Sequence, residues 1–400
     1  MRRVLALVIV GVLAVVGAAP AAASPQRRAD VVAEWYDVTA ATVAAAGASA
    51  QSTNSRTWAI GWLAAARAAR GAVHGDRADA AVASAVHTAL VALAPARRAE
   101  LDAALRATLD RLPAGGQRDR GVADGVRAAG DLLAERQGDG LDPASVNAPF
   151  AVPPAAPGVW QPTPPALTPP QQAGNRLARP FLLTRADQFR LPSPPALDSP
   201  RDRADLAEVR AYGAADSTVR TAAQTDTAQF WLQSSLVGYT EPLRAAVTQV
   251  TGSPARRAAL VAAFHVILVD TQIATSDSKY AHLRWRPITA IRATADPLWT
   301  PLHATPAHPD YPSGHNTYSG AAEVVLTAFA GPSARRPFTT TSPTAPGVTR
   351  TYQRWADLTK DNVDARVWSG IHTRTADEAG VVLGRRVAEF GLSRFASLLG

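Results

Sequence analysis

The sequence predicts an all-α protein made of two helical bundles packed into one body, and three observations carry that prediction. Alanine-rich stretches with apolar residues at helical spacing recur through both halves of the chain. Glycine and proline clusters separate them, as expected between antiparallel helices. No alternating apolar pattern of the strand type runs for any length. At 400 residues, 47% of them hydrophobic, the chain can bury a sizeable core.

Taken in order, the first element is MRRVLALVIVGVLAVVGAAPAAASPQ: two arginines, a short apolar run, then the small-residue triplet Ala21, Ala22, Ala23. This is the pattern of a cleavable secretory signal over residues 1–23, cut near Ala23, and its apolar run is too short for a spanning helix. No later segment is long and apolar enough to serve as an anchor. The mature chain is thus expected to be secreted, where disulfides are possible, yet it holds no cysteine. Thiol catalysis and thiolate metal sites are excluded.

Residues 24–138 are expected to form an N-terminal bundle of four or five helices, with breaks at Gly71–Gly75, Pro95 and Pro113–Gly116. About half of the chain's 31 prolines fall in residues 139–202. Phe150, Trp160, Phe181, Leu182, Leu183 and Phe189 are too many apolar anchors for a solvated spacer, which points to an ordered wrap. Residues 203–400 return to helical period as a C-terminal bundle. One long helix is expected there from Pro254, capped by Ser253, to Arg286, where Pro287 disfavours helical backbone.

The formal charge is +8 at pH 7, with basic and acidic residues interleaved along helices and no run of five like charges. That argues against a nucleic-acid partner and for solvated faces plus one anion site. Almost every basic residue is arginine, so Lys279 stands out.

Three groups of residues carry chemistry. Lys279 and Arg286, seven apart, return to nearly the same face of one helix and can address one site. HPDYPSGHNTYSG, residues 308–320, places Ser313 and Gly314 at a helix N-terminus, where free N–H groups and a hydroxyl favour an anion. His315 beside them is a candidate acid or base. In the third group Ser369 and Gly370 allow a break, so that Arg366 ends one helix and His372 opens the next. Three fixed cations, a hydroxyl, a glycine amide and two histidines describe a pocket for a tetrahedral oxyanion.

Lys-x6-Arg-Pro, Pro-Ser-Gly-His and Arg-x5-His, in that order, resemble the three-part signature of the vanadium-dependent haloperoxidases and the type 2 phosphatidic acid phosphatases. KYAHLRWRPITAIR, HPDYPSGHNTYSGAAEVVL and RVWSGIHTRTADEAGVVLG are similar to the secreted bacterial haloperoxidase-like branch, as are GVWQPTPPAL and PFLLTRADQFRLPSPPAL. The likeness runs from about residue 145 to the end.

This resemblance implies an all-α enzyme with vanadate as cofactor. It implies that Lys279, Arg286, Ser313, Gly314 and Arg366 hold the oxyanion, that His372 bonds axially to vanadium, and that His315 is the acid/base. Lys279 would also act catalytically, and the substrates would be hydrogen peroxide, a halide and a small organic acceptor. In the phosphatase alternative, on phosphate esters, His372 is the nucleophile and His315 protonates the leaving alcohol. A third reading is a helical protein that binds the oxyanion without chemistry.

Two positions depart from the haloperoxidase pattern: Ser276 stands where many carry tryptophan, and His308 where chloroperoxidases carry phenylalanine. His308 tilts the expectation toward bromide or iodide, and Ser276 opens the pocket wall. Ala376, with Asp377 after it, replaces the aspartate of the longer phosphatase signature. Asp226, Asp270, Asp277 and Asp310 are all candidates for the acid that orients Arg366 or His315. No stable membrane anchor is expected, and oligomeric state is not legible.

Overall fold

A computed structural model describes residues 30–72 and 75–400, so the expected leader lies outside the described residues. The described chain is 63% helical, with 14 α-helices and two short strands.

The N-terminal helices are α1 (Val31–Ala46), α2 (Gln51–Ala69), α3 (Asp76–Leu93), α4 (Arg98–Asp110) and α5 (Gly116–Glu135). Their interruptions fall where glycine, or proline after alanine, removes helical backbone. α2 is buried along most of its length, from Trp58 to Ala69, because it is packed between α3 on one side and a C-terminal helix on the other.

Residues 136–199 then run over the surface of both bundles with one short α-helix, α6 (Pro143–Val146), and two 3-10 turns, Ala173–Leu177 and Ala186–Phe189. Trp160 and Leu183 anchor this segment in the interior. Phe150, Phe181, Leu182 and Phe189 are half-buried beneath it. It is also fastened by polar bonds to one long helix, described next.

The C-terminal half contains α7 (Pro200–Tyr212), α8 (Ala222–Phe230), α9 (Ser235–Gln249), α10 (Pro254–His282), α11 (Pro287–Thr294) and α12 (Gly314–Ala330). A hairpin follows, β1 (Ser333–Thr341) with β2 (Thr349–Arg354), antiparallel and pairing Phe338 with Tyr352 and Thr341 with Thr349. Then come α13 (Trp355–Trp368) and α14 (Arg374–Phe395). The hairpin was not expected from the sequence. Its Thr-rich strands alternate poorly, and Phe338 packs against Trp355 with ring centroids 5.5 Å apart and planes tilted by 32°.

α10 begins as the sequence indicates, with Ser253 Oγ accepting from the Arg256 amide and Pro254 at the first position. It ends earlier than expected. Leu283 takes a left-handed conformation (φ 48°), and Arg286 becomes the extended residue that precedes α11. Lys279 and Arg286 therefore do not share a helix face; a four-residue link carries the arginine round instead.

By length and apolar composition α10 would cross a membrane, contrary to the expectation that no such segment follows the leader. Its apolar window is 89% buried inside the protein, which makes it the central core helix. α2 packs along one side of α10, while α12 and α14 pack on another. One continuous hydrophobic core results, running from Val31 and Trp35 in α1 to Phe395 in α14.

A polar row on α10 secures the proline-rich segment. Asp270 accepts from the amides of Phe181, Leu182 and Leu183 at 2.7, 2.7 and 2.8 Å. Asp277 takes a bidentate pair from Arg190 at 2.8 and 2.7 Å, and Ser276 donates to the Gln172 carbonyl at 2.7 Å.

Candidate active site

Lys279, Gly314, His315, Arg366 and His372 line one pocket of about 230 Å³ between α10, α12 and the start of α14; Arg286 bonds to two of its lining residues, His308 and His372, and Ser313 precedes Gly314. Lys279, Arg286, Ser313, Arg366 and His372 are all at least nine-tenths buried; His308 and His315 are half-buried.

Backbone carbonyls aim the cations. Lys279 Nζ donates to Pro309 O at 2.5 Å and Asp310 O at 3.1 Å. Arg286 donates through Nε to His308 O and through Nη1 to Ile371 O, both at 2.6 Å. Arg366 Nη1 donates to Trp231 O at 3.1 Å. A carbonyl orients a cation without cancelling its charge, so the pocket stays strongly positive. Burial pulls Arg286 and Arg366 down to about 10 and Lys279 well below its usual range, and in Lys279 the neighbouring Arg286 adds to the effect. An anion bound among these cations would relieve that cost.

The four-residue link that carries Arg286 is itself held by the proline-rich segment. Trp160 N donates to Leu283 O at 2.7 Å, and Trp285 N to Gly158 O at 2.9 Å.

Ser313 caps α12, and its Oγ is buried without a hydrogen-bond partner; it lies near the Asp377 carboxyl but completes no bond to it. The Nε of Arg366 is likewise buried and unpaired. Two orphaned donors inside a cluster of three cations fit a tetrahedral oxyanion such as vanadate or phosphate. Ser313, Gly314, Lys279, Arg286 and Arg366 would hold the anion, and His372 would face it.

The histidine roles are set by hydrogen bonds. His372 Nδ1 lies 2.6 Å from Asp310 Oδ1, while Thr373 Oγ1 donates to Asp310 Oδ2 at 2.7 Å. With Nδ1–H donating to the carboxylate, the lone pair of His372 sits on Nε2, which is 3.1 Å from Arg286 Nη1. Burial holds His372 well below its ordinary value, helped by Arg286, Lys279 and Arg366. Burial also raises Asp310, against the opposing pull of Arg286.

His315 Nε2 is 2.9 Å from the Gln233 carbonyl, which can only accept, so Nδ1 is its proton-accepting atom. Its value too is lowered, first by burial and then by Arg366. His308 Nδ1 receives a bond from Arg286 Nη2 at 3.0 Å, and burial with Lys279 and Arg286 keeps it neutral.

Among the four candidate acids only Asp310 reaches the site, and its partner is His372 rather than Arg366 or His315. Asp270 and Asp277 fasten the proline-rich segment, and Asp226 is exposed. Arg366 and His315 are oriented by carbonyls of Trp231 and Gln233, which no sequence pattern marks. Asp377 was missed as well. It is fully buried, accepts from Asn316 Nδ2 at 2.7 Å, and burial pushes it up to about 8.

Ser276 lines the pocket, in the wall where it was expected, together with Ser49 and Gln51 from the N-terminal bundle and Gln172 from the proline-rich segment.

Comparison with known proteins bears on the fold that holds this site. Residues 259–400 match the family model of the VCPO second helical-bundle domain, a span that includes every residue of the cage. No curated protein sequence matches the chain. Among solved structures, it is similar to the first bacterial vanadium-dependent iodoperoxidase, at 24% identity and a TM-score of 0.75, over 91% of this chain and 95% of that one. It is also similar to the apo and holo forms of a bacterial vanadium-dependent chloroperoxidase. The apo form has 15% identity and a TM-score of 0.67 over 86% of this chain and 93% of the other; the holo form has 16% and 0.65 over 91% and 93%. These findings support the superfamily that the three motifs resemble, and the fold is that of the vanadium haloperoxidases.

Proposed function

We propose that this chain, which has the vanadium haloperoxidase fold, is a secreted vanadate-dependent enzyme that oxidises bromide or iodide with hydrogen peroxide. The carrying observation is the set of unpaired buried donors, Ser313 Oγ and Arg366 Nε, gathered with three cations around the Nε2 lone pair of His372. Vanadate bound there would supply Lewis-acid activation of peroxide without changing its own oxidation state.

The chain's own residues do the rest. Lys279, Arg286 and Arg366 would balance the charge of the oxyanion, and Ser313 Oγ and the Gly314 amide would donate to its oxygens. Asp310 holds the His372 proton on Nδ1, so Nε2 would be the atom that holds vanadate. His315, with its Nε2–H engaged by Gln233, takes up or returns a proton at Nδ1. Lys279 is a positive charge fixed at the pocket wall, placed to polarise a bound oxygen. The bromide or iodide preference rests on His308, a neutral polar ring bonded to Arg286 where a phenylalanine would make the wall apolar. Secretion rests on the leader pattern in residues 1–23.

A phosphatase reading uses the same cage, since neutral His372 Nε2 is also a competent nucleophile toward phosphorus. The haloperoxidase reading is favoured because the likeness to haloperoxidases extends over 91% of the chain, including the N-terminal bundle. The deciding experiment is bromide- and iodide-dependent halogenation of a phenolic dye with hydrogen peroxide, titrated with orthovanadate, beside aryl phosphate hydrolysis in vanadate-free buffer. Halogenation that saturates with vanadate is expected. Hydrolysis that vanadate abolishes, with no halogenation, would move the protein to the phosphatases.

A further inference from the structure

A second cavity, of about 480 Å³, lies between α7 and α11, with Trp285 of the 283–286 link in its lining. The two cavities share no lining residue. Leu206, Ala207, Ile291 and Leu197 make its walls apolar, and Trp285 lines it as well. Its volume falls in the range of small-molecule sites.

The charges around it are unequal in a way that selects a ligand. Asp202 is paired with Arg284, and Asp198 with Arg203. Arg210 is exposed; its backbone carbonyl accepts from Trp299 Nε1 at 3.1 Å, while its guanidinium makes no hydrogen bond or ion pair among the described residues. Trp285 is 8% exposed, and its Nε1–H is buried without an acceptor. Among the charged groups lining the cavity, the Arg210 cation is thus left uncompensated. An apolar wall with an indole beside it suits an aromatic ring; the free guanidinium suits a carboxylate.

We propose that this cavity is a binding site for a small aromatic carboxylate, distinct from the oxyanion pocket. The ring lies against Trp285 between Leu206 and Ile291, and the carboxylate pairs with Arg210.

Calorimetric titration of the full chain with 2-naphthoate tests this, in saturating phosphate so that the oxyanion pocket is filled. One saturable site per chain is expected. Arg210→Ala, at an exposed residue, should weaken it by about 10-fold or more, as loss of a charge-assisted bond implies. Ala207→Trp, which fills the cavity from the rim, should abolish it. Neutral 2-naphthamide should bind at least about 10-fold more weakly than the acid. No saturable binding, or equal binding to wild type and both variants, would overturn the site; equal binding of the amide and the acid would overturn the anionic half of the assignment.

Discussion

Asp310 decides which nitrogen of His372 faces the pocket, and its effect should exceed that of an ordinary buried hydrogen bond. Asp310→Asn keeps the shape but removes the charge that fixes the proton on Nδ1. The expected outcome is a loss of about 10- to 100-fold in vanadate affinity and turnover, read from a vanadate titration of halogenation. The histidines make a second prediction. His308, His315 and His372 all have folded values below 6.5, so their neutral forms are complete at neutral pH and are lost only as pH falls through those depressed values. A profile of kcat/KM, which reports the free protein, should stay level through pH 6.5 instead of falling by half there; a half-loss at 6.5 would contradict it. At this scale the sequence was informative about side chains and silent about carbonyls. Lys279, Arg286, Ser313, Gly314, Arg366, His315 and His372 were legible because their types and order are unusual together. The carbonyls of Pro309, Ile371, Trp231 and Gln233 aim them, and a backbone oxygen leaves no mark on composition.

Helices place these groups by close approach. A Cβ on Gly384 of α14 would sit 2.0 Å from Thr317 O, and one on Gly320 of α12 would sit 2.3 Å from Val381 O. Gly384→Ala should therefore cost about 1–3 kcal/mol of stability, seen as a lower melting temperature, and should weaken oxyanion binding by displacing Ser313 at the head of α12. The start of α12 at Ser313 and Gly314 was readable in the sequence. The end of α10 was not, because a proline limits where a helix can continue without saying how many residues earlier it stops. The α2–α10 interface has its own titration. His265 stacks on Trp58 at 4.6 Å, both ring nitrogens lack partners, and burial lowers it to about 3. The unfolded chain binds this proton near 6.5, so unfolding is favoured progressively as pH falls from about 6.5 toward 3. The urea midpoint should drop over that window, and His265→Leu should flatten the dependence; an unchanged slope in the variant would assign it elsewhere.

The whole molecule is tied together by α10, which supplies core to both bundles and polar anchors to the segment between them. Its unfolding is thus expected to be one cooperative event from α1 to α14, with far-UV dichroism and tryptophan fluorescence giving coincident transitions. An early, separate loss of the N-terminal helices would refute this. Two bundles were legible from periodicity; that they share one core was not, since each segment's pattern shows which face is apolar and never what covers it. The lining of the pocket shows what this sharing allows. All the charged groups of the cage lie between residues 279 and 372, while Ser49, Gln51 and Gln172, which share the lining, come from earlier in the chain and are all uncharged. The reactive centre and this part of its wall are written in separate stretches of sequence, so the wall can be rebuilt for a different visitor while the chemistry beside it is left alone.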